Sequence, residues 1–255
     1  MRSVRMRTEL AAAHEAQMAI MPQAPPDLPG FDIAATCIPA HEVGGDFFDF
    51  LELDDRGQRL CVIVGDVAGK AMPAAMTAVM SDGMVISRIG QGGSVAEIMS
   101  DLNRSIYGKV TARVFTALCL AVLDRERGEL TFANAGLCQP LLRSAAGTEY
   151  VESEGPKVPL GSFPNTAYES RTFPLAPDDV IVFFSDGLPE ARDSAGKEYG
   201  YEALVELLGR IRTHDLSAER IREAIVADIR RFAASTHQSD DIVLVVVKRE
   251  HRLAE

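Results

Sequence analysis

The chain has 255 residues, 47% of them hydrophobic and 25% charged, which excludes global disorder and fibrous architecture and allows a substantial core. Lys and Arg number 26 against 37 Asp and Glu, so the formal net charge is -11, and general nucleic-acid binding is excluded unless the cations cluster on one face. No apolar run approaches the length of a membrane span, and the start MRSVRMRTEL lacks the apolar core and cleavage site of a secretion signal, so no membrane partner is expected.

In chain order, residues 7–21 read as a helix, and Pro22, Pro25, Pro26, Pro29 and Gly30 end it in a stiff connector. Such an arm can pack on its own domain, form a homodimer or dock a regulatory protein. FDIAATCIP then reads as a strand. FFDFLELDD and RLCVIVGDV read as a hairpin turning at Asp54–Gly57. Ala71–Arg88 reads as a helix with Met72, Met76, Met80 and Met84 on one face, a spacing assigned to core packing rather than to a binding surface. Gly90–Gly93 break it, and Ser94 with Glu97 forms a capping-box pattern for a helix ending near Tyr107. FTALCLAVLD and ELTFANA read as a strand pair, followed by PLLRS and a Gly- and Pro-rich loop over 152–167 long enough to be a functional flap. YESRTFPL and DDVIVFFSDG read as strands, 199–210 and 217–232 as helices, and DIVLVVVKR as the last strand.

The strands are joined mostly by short hairpin-like connections, not by regular crossover helices. The fold class expected is therefore α+β, with stacked antiparallel sheets covered by helices. The four cysteines, Cys37, Cys61, Cys119 and Cys138, have neither CxxC nor zinc-ribbon spacing and read as reduced core thiols of a cytoplasmic protein.

The carboxylates carry the functional signal. Asp46 and Asp49 flank a strand start in VGGDFFDF, Asp66 ends CVIVGD, Asp186 ends VIVFFSD, and Asp240 and Asp241 open the final strand. Any one of them alone reads as a turn residue or cap. As a set held at strand ends beside glycines, they would repel one another unless a hard divalent cation neutralised them, and oxygen-only donors select magnesium, manganese or calcium over zinc. Two such ions can clamp a phosphate and activate water, so no Ser, Cys or His nucleophile is required.

Six segments carry a family resemblance: PAHEVGGDFFDF (39–50), GDVAGKAMPAAM (65–76), FTALCL (115–120), FANAG (132–136), FSDGLPEARD (184–193) and SDDIVLVVV (239–247). In this order the chain resembles the bacterial branch of the metal-dependent serine/threonine protein phosphatases, the PPM family. The nearest likeness is to sporulation and general-stress phosphatases that act on anti-sigma-factor antagonists. The resemblance implies a four-layer α-β-β-α sandwich over residues 30–249, with an arm and connector at 1–29 and a tail at 250–255. It implies a centre of two manganese or magnesium ions, with a third left open.

By the same resemblance, the candidate catalytic and metal-ligating groups are Asp46, Asp66, the Val67 carbonyl, Asp186 and Asp240. Asp66 matches a bridging carboxylate, Asp186 and Asp240 the second metal position, and Asp46 a ligand acting directly or through water. Asp49 and Asp241 are read as supporting or capping residues, and Gly45 and Gly69 as geometric. The implied reaction is hydrolysis of a phosphoserine or phosphothreonine ester by a metal-bridged hydroxide, without a phosphoenzyme. The implied partner is a phosphorylated anti-sigma-factor antagonist in a partner-switching circuit.

The chain departs from the family pattern at several positions. Ala68 and Ala71 replace a small polar residue and a glycine of GDVSGKG. Leu137 replaces a histidine, and Pro189 with Glu190 replaces TE. Ala68 also stands where the eukaryotic branch has its general-acid histidine, which leaves the proton donor unassigned. Lys70 and Arg113 are candidates for phosphate recognition, with surface charge the simpler reading. His14, His41, His214, His237 and His251 lack metal spacing, His237 having the best claim through its nearness to Asp240. Beyond the first 30 residues there is no space for a sensory domain, so regulation is expected from the arm, dimerisation, a separate protein or expression level. Two rival functions are a non-catalytic phosphoprotein-binding module with a decayed site and a small-molecule phosphate monoester hydrolase.

Overall fold

The structure is a computed structural model that describes residues 2–69, 71–109, 115–234 and 236–250. Lys70, Arg113 and His251 lie outside these residues. Helix α1 spans Arg2–Ile20, followed by strands β1 (Phe31–Ile38), β2 (Phe47–Glu52) and β3 (Arg59–Val67). Helices α2 (Ala71–Ile89) and α3 (Val95–Ile106) come next. Strands β4 (Thr116–Asp124), β5 (Glu129–Ala135), β6 (Leu141–Ser144), β7 (Gly147–Tyr150), β8 (Arg171–Pro174) and β9 (Val180–Phe184) follow, then α4 (Tyr201–Arg210), α5 (Ala218–Ala233) and β10 (Ile242–Arg249).

The strands form two five-stranded sheets, ordered β1-β10-β9-β6-β7 and β2-β3-β4-β5-β8, and every strand pairing is antiparallel. The sheets stack, with α2 and α3 packed on the second and α4 and α5 on the first. Strand β10 shows why the sequence demands four layers. Val243, Val245 and Val247 enter the inter-sheet core, while Ile242, Leu244 and Val246 pack with Leu204, Leu208, Ile221 and Ile225 beneath α4 and α5. A strand apolar on both faces must be covered on both faces, since successive side chains point to opposite sides of the sheet.

The capping box of α3 forms as the sequence indicates: Ser94 Oγ accepts the Glu97 N–H, and Glu97 reaches back to the Ser94 N–H at 2.8 Å. The methionine reading of α2 is corrected in part: Met84 is half-buried and packs against the core, but the buried face of the helix is mostly made by other residues. Ala74, Ala75, Ala78, Ser81, Asp82 and Val85 face the sheet, while Met72 is exposed and Met76 is 68% exposed. The helix lies close to the sheet, and that approach admits small side chains. The 152–167 loop is tied down rather than free. Asn103 on α3 donates to the Phe163 carbonyl at 2.8 Å and accepts from the Gly161 N–H at 2.9 Å, and Leu160 pairs with Thr116.

Strand register fixes one functional edge. Phe47 lies opposite Gly65, Ile38 opposite Ile242, and Phe184 opposite Leu244. The ends of β1, β3 and β9 and the starts of β2 and β10 therefore meet at one end of the sandwich. Asp46, Asp66, Asp186, Asp240 and Asp241 all stand at these termini.

Candidate active site at the shared strand ends

The β1–β2 loop is held by a carboxylate from the other end of the chain. Asp241 accepts the Ala40 N–H through Oδ1 at 2.8 Å and the Gly45 N–H through Oδ2 at 2.9 Å. Asp241 is thus a capping residue, buried beneath the loop that carries Asp46. From the other side, Gln17 on α1 donates to the Gly44 carbonyl at 2.7 Å and accepts the Gly44 N–H at 3.2 Å, and His14 Nδ1–H donates to the Glu42 carbonyl at 2.7 Å. Two glycines are required sterically. A Cβ on Gly45 would sit 2.6 Å from the Val67 carbonyl oxygen, and one on Gly187 would collide with the Asp241 carbonyl. The Val67 carbonyl is accordingly presented at the same loop as Asp46.

Asp46 is buried, and its Oδ2 has no hydrogen-bond partner. Burial first, then the charge of Asp66, hold its carboxyl well above the usual range; the Ser185 hydroxyl opposes this, and Asp241 and Asp186 add to it. Asp66 is pushed up to about 6 by burial, against a hydrogen bond to Asp46, with Asp240, Asp241 and Glu190 adding repulsion. Asp186 is pushed up to about 7 by burial and by Asp66, Glu190 and Asp240. Asp46, Asp66 and Asp186 are thus raised together at the shared strand ends, where Asp240 adds its charge to Asp66 and Asp186.

Among the described residues, no group of three or more His, Cys, Asp or Glu side chains stands in ready ligating geometry. The donor set still fits a hard divalent cation. It consists of oxygens, one buried carboxylate oxygen is orphaned, and the mutual repulsion is of the kind a cation or a proton relieves.

A cleft of about 510 Å³ opens at this edge, lined by Asp66, Asp186 and Glu190 and by the 136–139 turn, Tyr150 and Tyr201. Asp46 is buried and is not part of this lining. The turn is shaped by buried Asn134, whose Oδ1 accepts the Leu137 N–H at 2.8 Å and whose Nδ2 donates to the Leu137 and Cys138 carbonyls at 3.0 and 3.3 Å. Sequence reasoning missed Glu190 as a site residue, although it stands four positions after Asp186. Tyr150, Tyr201 and Cys138 carried no usable signal. Cys61 and Cys119 are buried as expected; Cys37 and Cys138 are only half-buried against the core, and Cys138 also lines the cleft, which corrects the cysteine reading in part.

Asp49 lies apart from this edge, inside β2. It accepts its neighbour's N–H, from Phe50, at 2.7 Å and faces Asp82 of α2 electrostatically. Among the histidines, His41 and His237 are exposed and outside the cleft.

The family model of stage II sporulation protein E (SpoIIE) matches residues 56–250. The chain belongs to the SpoIIE family. It is a member of the SpoIIE/RsbU branch of the PPM/PP2C-type serine/threonine phosphatases. It is 25% identical over 245 residues to the phosphoserine phosphatase RsbU of Bacillus subtilis, covering 96% of this chain and 71% of that protein. A structure of the RsbU and RsbW domains of Rv1364c from Mycobacterium tuberculosis is 30% identical, with a TM-score of 0.74, over 90% of this chain and 63% of that one. The SiaA-PP2C domain of Pseudomonas aeruginosa superposes with a TM-score of 0.83 over 97% of both chains at 22% identity, a likeness of fold. Among the described residues, no helix of this SpoIIE-family chain is long and apolar enough to cross a membrane.

Proposed function

We propose that this chain is a divalent-metal-dependent phosphatase that hydrolyses a phosphoserine or phosphothreonine on an anti-sigma-factor antagonist. The observation that carries this reading is the mutually repelling carboxylate set at the shared strand ends, with Asp46 buried and the half-buried Asp66 and Asp186 lining a cleft. Family membership and the phosphoserine phosphatase named among its relatives support it. Asp66, the Val67 carbonyl and Asp46 would hold one manganese or magnesium ion, and Asp186 with Asp240 would complete the position of a second. When bound, such ions supply a water of lowered pKa and neutralise charge on the phosphoryl oxygens.

The protein's own groups have defined tasks. Asp241 and Gln17 fix the loop that aims Asp46, and Asn134 fixes the 136–139 turn of the cleft. Leu137, buried at the cleft wall, excludes water and offers no imidazole where the family resemblance has one. The Cys138 thiol is pushed up to about 12, by burial first, so it stays protonated and is no nucleophile. Strand-end placement of all four carboxylates favours a working site over a decayed binding module. The exposed Tyr201 at the rim of an open cleft favours a macromolecular ester over a small enclosed one.

The test is phosphate release from a phosphoserine antagonist protein by wild type and Asp186→Asn, with and without manganese. Activity is expected only for wild type with metal. Metal-independent hydrolysis, or full activity in the variant, overturns the proposal.

A further inference from the structure

The cleft lining is of two chemical kinds. Asp66, Asp186 and Glu190 are acidic; the remainder, the neutral wall, is Gly136, Leu137, Cys138, Gln139, Tyr150 and Tyr201, which carry no charge. No Lys, Arg or His among the described residues lines it. The neutral wall is rigid. The Tyr150 hydroxyl donates to the Tyr201 carbonyl at 2.8 Å, the rings meet edge-to-face at 5.8 Å, and the Tyr201 hydroxyl lies 3.5 Å from Cys138 Sγ. Both rings pack against buried Phe184, with centroids at 6.3 and 6.5 Å. Phe184 is the last residue of β9, two positions before Asp186, so one strand sets the spacing between the wall and the carboxylates. Burial raises both tyrosine hydroxyls, so they remain uncharged.

A phosphoryl group bound through cations at Asp66 and Asp186 would place the residue beside it against an uncharged surface, mostly Leu137, Tyr150 and Tyr201 with the Gln139 amide. Fixed tyrosines supply large contact area at little cost in side-chain ordering. We propose that Tyr150 and Tyr201, with Leu137, select phosphorylated protein segments that carry an apolar side chain next to the phosphoserine or phosphothreonine. This rests on the phosphatase reading and names the class of substrate for that same cleft.

The experiment uses the full chain with manganese and two blocked phosphoserine peptides, one with leucine on both sides of the phosphoserine and one with glycine on both sides. Wild type is expected to prefer the leucine peptide by about tenfold in kcat/KM, mostly through KM, the scale of one partly buried aliphatic side chain. Tyr201→Ala brings the ratio to about one, whereas Tyr201→Phe, which keeps the ring, preserves it. A wild-type ratio near one, or a preference that survives Tyr201→Ala, overturns the proposal. Hydrolysis of neither peptide also overturns it, and phosphate release from a phosphorylated antagonist protein then decides the parent reading separately.

Discussion

Two groups of wholly or partly buried carboxylates begin three residues apart along the same segment and behave differently. Asp46 precedes β2 and joins Asp66, Asp186 and Asp240 at the strand ends. Asp49 lies inside β2 and meets Asp82 beneath α2, where Asp82 is buried with Oδ1 unpartnered. In both places burial is the first cause of a raised carboxyl and a neighbouring carboxylate adds to it, at Asp46 and Asp186 in one and at Asp82 in the other. The first sits among loops held by Asp241 and Gln17 and opens into a cleft; the second is covered by a helix. A buried carboxylate pair is therefore no sign of a metal site by itself. Convergence from several strand ends onto an opening is the stronger signal.

The largest effect expected is on chemistry. Asp186→Asn should lower phosphate release by roughly 100-fold or more, the scale seen when one preorganised electrostatic group is removed. Asp82→Asn should leave activity within about twofold, since a covered carboxylate supplies nothing to the cleft. An equal loss in both variants, measured as kcat/KM, would break the distinction.

Next comes Asp241→Ala, which strips two charge-assisted bonds from the Asp46 loop. It should cost on the order of 3 kcal/mol by denaturant unfolding. A cost below about 0.5 kcal/mol, the range of an ordinary surface substitution, would remove Asp241 from its capping role.

The covered pair gives a pH dependence. Burial, then Asp49, push Asp82 up to about 7, against an unfolded carboxylate near 4. Between about pH 4 and 7 the folded state binds more protons than the unfolded one, so this contribution falls as pH rises through that window and levels off above it. Asp82→Asn removes the slope. Its stability relative to wild type should grow from pH 5 to pH 8 by on the order of 2–3 kcal/mol. Thermal unfolding differences that stay constant across that range would contradict it.

The smallest effect tests a family departure. Ala71 has φ of 58°, a left-handed conformation that disfavours a Cβ, at the position where the family pattern has glycine. Ala71→Gly should stabilise by about 0.5–1 kcal/mol. Destabilisation by that substitution would show that the alanine methyl is needed for packing.

Much of this arrangement is legible in the sequence because it is periodic or local. The unbroken apolar run 242–247 dictates burial on both faces, Ser94 and Glu97 specify their own cap, and apolar runs ending in aspartate announce the edge. What resists reading is set by tertiary distance. The four-residue spacing of Met72, Met76, Met80 and Met84 places them on one face of α2, yet helix-to-sheet separation decides which face goes inward, and Ala74, Ala75 and Ala78 win it. The neutral wall is illegible for a related reason. Tyr150 ends a four-residue strand and Tyr201 starts a helix 51 positions later, and only the fold sets their rings together.

The central claim is that the strand-end carboxylates bind divalent cations. Calorimetric titration of manganese into wild type, Asp66→Asn and Asp82→Asn measures it without relying on turnover. Two bound ions are predicted for wild type and Asp82→Asn, with loss or marked weakening in Asp66→Asn while its thermal unfolding stays cooperative. Manganese binding by Asp66→Asn equal to that of wild type would contradict the account.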